Sequence, residues 1–158
     1  MARSADGDDV LRALVRDFDL GSSELQQHRT VKNLLQYLFR LPQNKFRELG
    51  LNLAAVSGLS GDWSFSLEVV QRLLDAGDDS AATKLWHLRS LIELERFAEA
   101  LAVSQSTRWG AKEWIHVNYL SGIAFEALGL FDEAKNRWES VQRADPQYRD
   151  IALRLSRY

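Results

Sequence analysis

The sequence predicts an all-α chain built from helix–turn–helix units that recur every thirty-four residues. Three observations carry this. Apolar residues return at three- and four-residue spacing along most of the chain, the signature of helices with one buried face. Small and aromatic residues then return in register at the longer interval, which marks a stacked repeat array. Two prolines and nine glycines in 158 residues leave room for long uninterrupted helices.

Composition narrows the function before any motif does. An apolar fraction of 46% and a charged fraction of 27% are ordinary for a globular protein of one domain. A formal charge of −2 and a pI near 5.9 supply no basic field for gripping phosphates, which argues against a nucleic-acid partner. The absence of cysteine excludes a disulfide framework, a thiol nucleophile and a cysteine-ligated zinc, and agrees with a reducing compartment. The amino-terminal stretch Met1–Asp9 carries aspartates where a signal peptide needs an apolar run. No run approaches the roughly 18 apolar residues of a membrane span. The expectation is a soluble cytoplasmic chain without membrane insertion, its residues 1–8 disordered.

Taken in order, the first elements lie outside the repeat register. Val10, Leu11, Leu14, Val15 and Phe18 make a short amphipathic helix. Ser22-Ser23 then cap a longer run in which Leu25, Val31, Leu34, Leu35, Leu38, Phe39 and Leu41 form a stripe. Carrying the register back onto this stretch puts Lys32 in the small slot and Arg29 in the aromatic one, so residues 9–42 are read as a non-repeat helical pair. Such a pair suits the end of an array, whose outer face differs from that of the internal units.

Units follow at 47–80, 81–114 and 115–148, and the third is the clearest. Its first helix runs through Gly122, Phe125 and Leu128 to Gly129, which ends a helix without steric cost. Phe131-Asp132-Glu133-Ala134 opens the second with acid in its first turn and continues through Trp138 and Val141. Stepping back by thirty-four, Ala134 falls on Ala100 and Ser66, Phe131 on Phe97 and Trp63, and Phe125 on Leu91 and Ser57. The middle unit departs: Gly122 falls on Leu88, and Trp138 falls on Ser104, leaving a hole for Trp86 or Trp109 to fill. Residues 104–111 look short of a full second helix. Beyond the array, Asp145 and Pro146 are suited to open a closing helix over 146–158, packed through Tyr148, Ile151, Leu153 and Leu155.

Gly122, Phe125, Gly129, Phe131, Ala134, Trp138 and Pro146 stand in the spacing of the tetratricopeptide repeat, a family the chain resembles over about residues 47–146. It departs at Asn118 and Lys84, where the family carries a large residue. The resemblance implies three such repeats in a right-handed superhelical array, with the amino-terminal pair at one end and a capping helix at the other. It also implies a concave groove lined by the first helix of each pair. That groove would take Leu51, Asn52 and Ala55 from the first unit, and Leu85, Trp86, Arg89 and Glu93 from the second. The third unit would add His116, Tyr119, Ile123 and Glu126. Members that clamp carboxylates set several cations there. This groove offers Arg89 and Asn52, flanked by Glu93 and Glu126, so the segment expected is apolar or amphipathic, extended or helical.

No chemistry competes with this. His28, His87 and His116 lie on different predicted helices, none with a second ligand at i+4. No phosphate-binding loop, nucleophile elbow or zinc-protease motif occurs, so no catalytic, cofactor or metal residue is assigned. The acidic pairs Asp8-Asp9, Asp78-Asp79 and Asp132-Glu133 stand at predicted helix starts, where they favour the dipole. Trp63 and Trp138 fall in core slots and Trp114 begins the third unit, while Trp86 and Trp109 have no assigned place. The function expected is a non-catalytic adaptor or scaffold that holds a segment of another protein. The alternatives are a three-repeat secretion chaperone holding an unstable client and a regulatory subunit of a larger assembly. A second copy docking on the helix at 22–41, through Tyr37, Phe39 and Leu41, is a further candidate partner.

Overall fold

The computed structural model describes residue 40 and residues 42–158; the amino-terminal pair expected over 9–42 falls outside them, save for residues 40 and 42. The chain divides into two units, Met1–Phe46 and Arg47–Tyr158, and the hydrophobic cluster running from Leu88 to Ile151 belongs to the second. Seven helices span the described residues: α1 Gln43–Leu59, α2 Trp63–Asp75, α3 Ala81–Glu93, α4 Phe97–Ser106, α5 Ala111–Ala127, α6 Phe131–Ala144 and α7 Ile151–Leu155. From α2 onward each helix packs on the next, and α3 also packs directly on α5. The α1–α2 contact is tied by Ser66, whose hydroxyl donates to the Ala54 carbonyl at 2.7 Å.

One turn recurs at the predicted interval. Gly61, Glu95 and Gly129 all adopt positive φ, of 95°, 58° and 75°. In each case the next residue's N–H reaches back five positions: Asp62 to Ser57, Arg96 to Leu91 and Leu130 to Phe125. This is the Schellman closure, which satisfies the last carbonyls of α1, α3 and α5 and turns the chain into the following helix. The starts are less uniform. Asp62 accepts from the Phe65 N–H at 3.0 Å, whereas the equivalent Arg96 and Leu130 make no side-chain cap. Asp78 and Ser80 cap α3 together: Asp78 accepts from the Ser80 N–H and the Thr83 hydroxyl, and Ser80 accepts from the Thr83 N–H. Of that acidic pair Asp78 is therefore the capping residue, while Asp79 pairs with Lys84.

Packing follows the register. Ser66, Ala100 and Ala134, the three small slots, are each wholly buried at 0% exposure. Gly122 lies against Trp138 so closely that a Cβ there would sit 2.1 Å from the indole nitrogen. The same indole donates to the Tyr119 carbonyl at 3.2 Å. Residue size is traded differently in the middle pair. Leu88 is wholly buried where the third pair has glycine, and Ser104 stands where it has tryptophan. Trp109 comes in from the loop beyond the short α4, donating to the Ser104 carbonyl at 2.8 Å and packing on the core.

Two boundaries differ from expectation. The third pair already begins at Ala111, so Trp114 stands one turn inside α5 rather than at its start. The closing helix is short. Asp145 does not cap a helix at Pro146: its carboxylate accepts from the Gln147 N–H at 3.0 Å and its carbonyl from the Tyr148 N–H, which closes a turn instead. Residues 146–150 remain non-helical, with Arg149 at φ 48°, before α7 covers Ile151–Leu155.

Candidate protein-binding face

On α3, Trp86, Arg89 and Glu93 follow one another at three- and four-residue spacing and share a face. Trp63, the first residue of α2, stacks on Trp86 with ring centroids 6.2 Å apart and planes 27° from parallel. The Arg89 guanidinium stands 5.1 Å from the Trp63 ring and 5.2 Å from the Trp86 ring, within the range where a cation is held by an aromatic face. Glu93 approaches it at 4.0 Å. All three stacked side chains are half-buried, not enclosed. Trp86 therefore has a place, but not in the Ser104 hole.

The residues expected on α5 meet a different fate. His116 shares a 2.6 Å hydrogen bond with the Tyr148 hydroxyl. Tyr119 is buried, at 5% exposure, and its hydroxyl donates to Asp150. Glu126 accepts from Arg154 at 3.3 Å and from the Tyr158 hydroxyl at 3.1 Å. Arg154 also pairs with Asp150 at 3.1 Å, and its guanidinium stands over the Tyr119 and Trp138 rings. The chain's own segment 148–158 thus covers what the register assigned to an open groove. Ile123 and Leu85 are partly buried against the core. On α1, Leu51 is half-buried and Asn52 exposed.

The electrostatics are those of a half-buried polar seam. Burial first, and then the charges of Arg149 and Arg89, push the His116 pKa down to about 4, so the ring is neutral at physiological pH. Burial alone would raise the Asp150 carboxyl, but the Tyr119 hydroxyl and Arg154 hold it below its usual value. His87 is lowered by burial and by Arg96, against an opposing pull from Glu99. His87 lies elsewhere, in a cleft of about 590 Å³ between α2 and α4, with Leu67, Glu68, Leu91, Arg96 and Glu99. The structure gives His87 and His116 different surroundings, and no group of three His, Asp or Glu side chains suited to a metal occurs among the described residues. Nothing in the sequence pattern pointed to that cleft, because the register marks positions that become buried. Arg149 and Arg154 were missed for a related reason: they lie beyond the last unit.

No protein-family model matches the chain, and no curated protein matches it. Among solved structures it is similar to one described as "MamA RS-1 ArsTM double mutant", with a TM-score of 0.70 at 14% identity. The match covers 96% of this chain and 82% of that one. MamA is a tetratricopeptide-repeat protein. The fold is of the tetratricopeptide type. At this identity the likeness speaks for the fold and not for a shared role. Among the described residues no helix is long and apolar enough to cross a membrane.

Proposed function

We propose that the chain is a non-catalytic, cytoplasmic scaffold that holds a segment of another protein against the face of α3. In this reading residues 47–80, 81–114 and 115–148 are three repeats of one right-handed array, closed by the segment from 146 to 158. The observation that carries it is the Trp63–Trp86–Arg89 stack. Tryptophan and arginine are enriched among the hot-spot residues that dominate the energetics of protein interfaces. Here both stand half-buried on a helix face in an all-helical fold whose members generally bind proteins. Leu51, Asn52 and Glu93 extend that surface with apolar and polar groups that suit an amphipathic segment, while Leu85 and Ile123 pack partly against the core.

Arg89→Glu and Asn52→Arg test the surface with little cost to the core. A partner recovered from the native organism is expected to bind each variant at least about tenfold more weakly, since interface arginines are frequent hot spots. Circular dichroism should be unchanged. Unaltered affinity in both would move the binding surface off α3 and make the α2–α4 cleft the next candidate. Tyr119→Ala is unsuitable as a test, because it would remove a buried, hydrogen-bonded side chain.

A second reading, a unit of a larger assembly, is favoured by one patch. Leu128, Leu130 and Phe131 are 44%, 43% and 55% exposed at the α5–α6 turn, and Phe131 lies 6.3 Å from the Tyr158 ring. Sedimentation across a concentration series decides it. A mass that stays monomeric at high concentration removes self-association from the list.

A further inference from the structure

The outer cleft with Glu68, His87, Arg96 and Glu99 is open, and its Arg96 and Glu99 already satisfy each other at 2.7 and 2.6 Å. Nothing in the exposed Leu128–Phe131 patch selects one partner over another. The segment that covers α5 is different, because its own contacts describe what its place can hold.

We propose that residues 148–158 are a displaceable strap, and that the α5–α6 face beneath them is a second binding surface, for a partner segment bearing an arginine. This does not depend on the α3 surface, so either can fail without the other. The face is built from residues outside the strap: Tyr119 and Glu126 come from α5, and Trp138 from α6. Together they form a socket for a guanidinium. That of Arg154 stands 5.1 Å from the Trp138 ring and 5.4 Å from the Tyr119 ring. It donates to Glu126 and to the Tyr119 hydroxyl, each at 3.3 Å. Two aromatic rings and a carboxylate match the flat, multiply donating fork of arginine better than the point charge of lysine. Glu126 also accepts from the Tyr158 hydroxyl at 3.1 Å. The face thus selects an arginine with a tyrosine four residues beyond it. Ile151, three residues before the arginine, is wholly buried, so an aliphatic side chain there completes the match.

The strap is lightly held for a segment that closes a core. Helix α7 has five residues, against the roughly 12 that even a favourable isolated helix needs. Ile151 is buried, whereas Ala152, Leu153, Ser156, Arg157 and Tyr158 are exposed. The approach through residues 146–150 is non-helical and places Arg149 at φ 48°, a region unfavourable to a residue with a Cβ. Most other ties are side-chain hydrogen bonds and ring contacts, which a partner segment can supply in kind. Beneath them α5 and α6 stay joined by Gly122 against Trp138 and by the buried Phe125 and Val141. Lifting the strap therefore opens the face without dismantling the pair. A short helix with few buried contacts is the kind of element that opens locally.

Two measurements on the full chain test this. In native-state hydrogen exchange, the amides of residues 151–158 are expected to exchange at least about 100-fold faster than those at the centre of α5. Exchange of the strap only on global unfolding overturns the proposal. The second measurement is the binding of a fluorescent peptide with the sequence of residues 145–158. An attached strap competes at an effective concentration on the order of millimolar, so the wild-type chain should bind this peptide weakly. A chain carrying Arg154→Ala and Tyr158→Ala should bind it at least about tenfold more tightly, because more of the face is open. Adding Glu126→Gln to that chain, or Arg154→Ala to the peptide, should remove the gain. Circular dichroism checks each fold, and Arg154→Gln alone replaces the double variant if that one unfolds. Equal binding to the loosened and wild-type chains overturns the strap, as does binding that survives Glu126→Gln. A peptide held through Trp86 instead leaves the α3 surface standing alone. Wild-type dimers that Glu126→Gln dissolves would make the occupant a second copy and overturn the choice of partner.

Discussion

The pairs α3–α4 and α5–α6 share a turn, a buried alanine slot and a register, yet they solve the same packing problem in opposite ways. In the third pair the bulk comes from the second helix: Trp138 is wholly buried and Gly122 yields to it. In the second pair it comes from the first helix, through Leu88, while Ser104 yields and Trp109 closes the gap from the loop. Their faces differ as well. That of α3 presents a tryptophan–arginine stack, and that of α5 is sealed by the chain's own end. Repeat register fixes the path of the backbone and the summed volume between helices. It does not fix which helix supplies that volume, or which face stays open.

The largest expected effect probes this trade of volume. Trp138→Ala should cost about 3–5 kcal/mol, the range for deleting a large buried aromatic. Gly122→Leu alone should cost about 3 kcal/mol or more, since even a Cβ meets the indole at 2.1 Å. Gly122→Leu combined with Trp138→Ser transplants the arrangement of the second pair. It should be milder than the sum of the single changes by more than about 1 kcal/mol, measured by urea unfolding as a double-mutant cycle. Additive costs would show that the two pairs are not solutions of one problem.

This asymmetry also explains what the sequence could and could not disclose. The positions repeating at thirty-four residues were readable because each carries one physical demand. Ser66, Ala100 and Ala134 must be small, and Gly61 and Gly129 must tolerate positive φ. The Ser104 hole was visible, and Trp109 was one of two candidates to close it. Trp86, Arg89 and Glu93 were grouped by their helical spacing, and Arg89 does contact both of the others. Tyr119 was misplaced because helical spacing cannot tell an open groove from one covered by residues thirty positions away. Asp145-Pro146 was read as a helix start, since the same residues serve a cap and a turn. With that turn went Arg149, whose guanidinium stands over the Tyr119 and Tyr148 rings.

The covered face of α5 has a pH signature that the face of α3 lacks. His116 titrates near 4 in the folded chain, against an ordinary histidine value of 6.5. Between these values the unfolded chain binds more protons, so stability rises with pH across the interval and is fully present above about 6.5. Falling pH removes it progressively toward 4. After discounting for solvent screening of the half-exposed ring, the loss should be about 1–2 kcal/mol. His87, in the second pair, is shifted the same way but less, and contributes in the same sense. Asp78 and Asp150, whose carboxyls are lowered, act in a separate window below their ordinary value of 3.8. Denaturant unfolding from pH 7 to pH 4 should therefore flatten more in His116→Gln than in His87→Gln. Equal flattening would mean that the carboxy-terminal segment adds nothing to the seal.

The smallest effect concerns the turn that both pairs share. Glu95 at φ 58° occupies the position held by Gly61 and Gly129, so the middle pair alone sets a side chain in the left-handed region there. Such a residue is strained by about 1–2 kcal/mol, partly offset by the greater freedom that glycine has when unfolded. Glu95→Gly should raise stability by about 0.5–1 kcal/mol, while Gly129→Ala should lower it by a similar amount. The pair of changes reads one backbone conformation from both directions. A gain in the first without a loss in the second would mean that the Leu130 to Phe125 closure, and not the glycine, holds the third turn. The turn would then depend on its hydrogen bonds, and Glu95 would be tolerated because Arg96 makes the same reach to Leu91 at 2.8 Å.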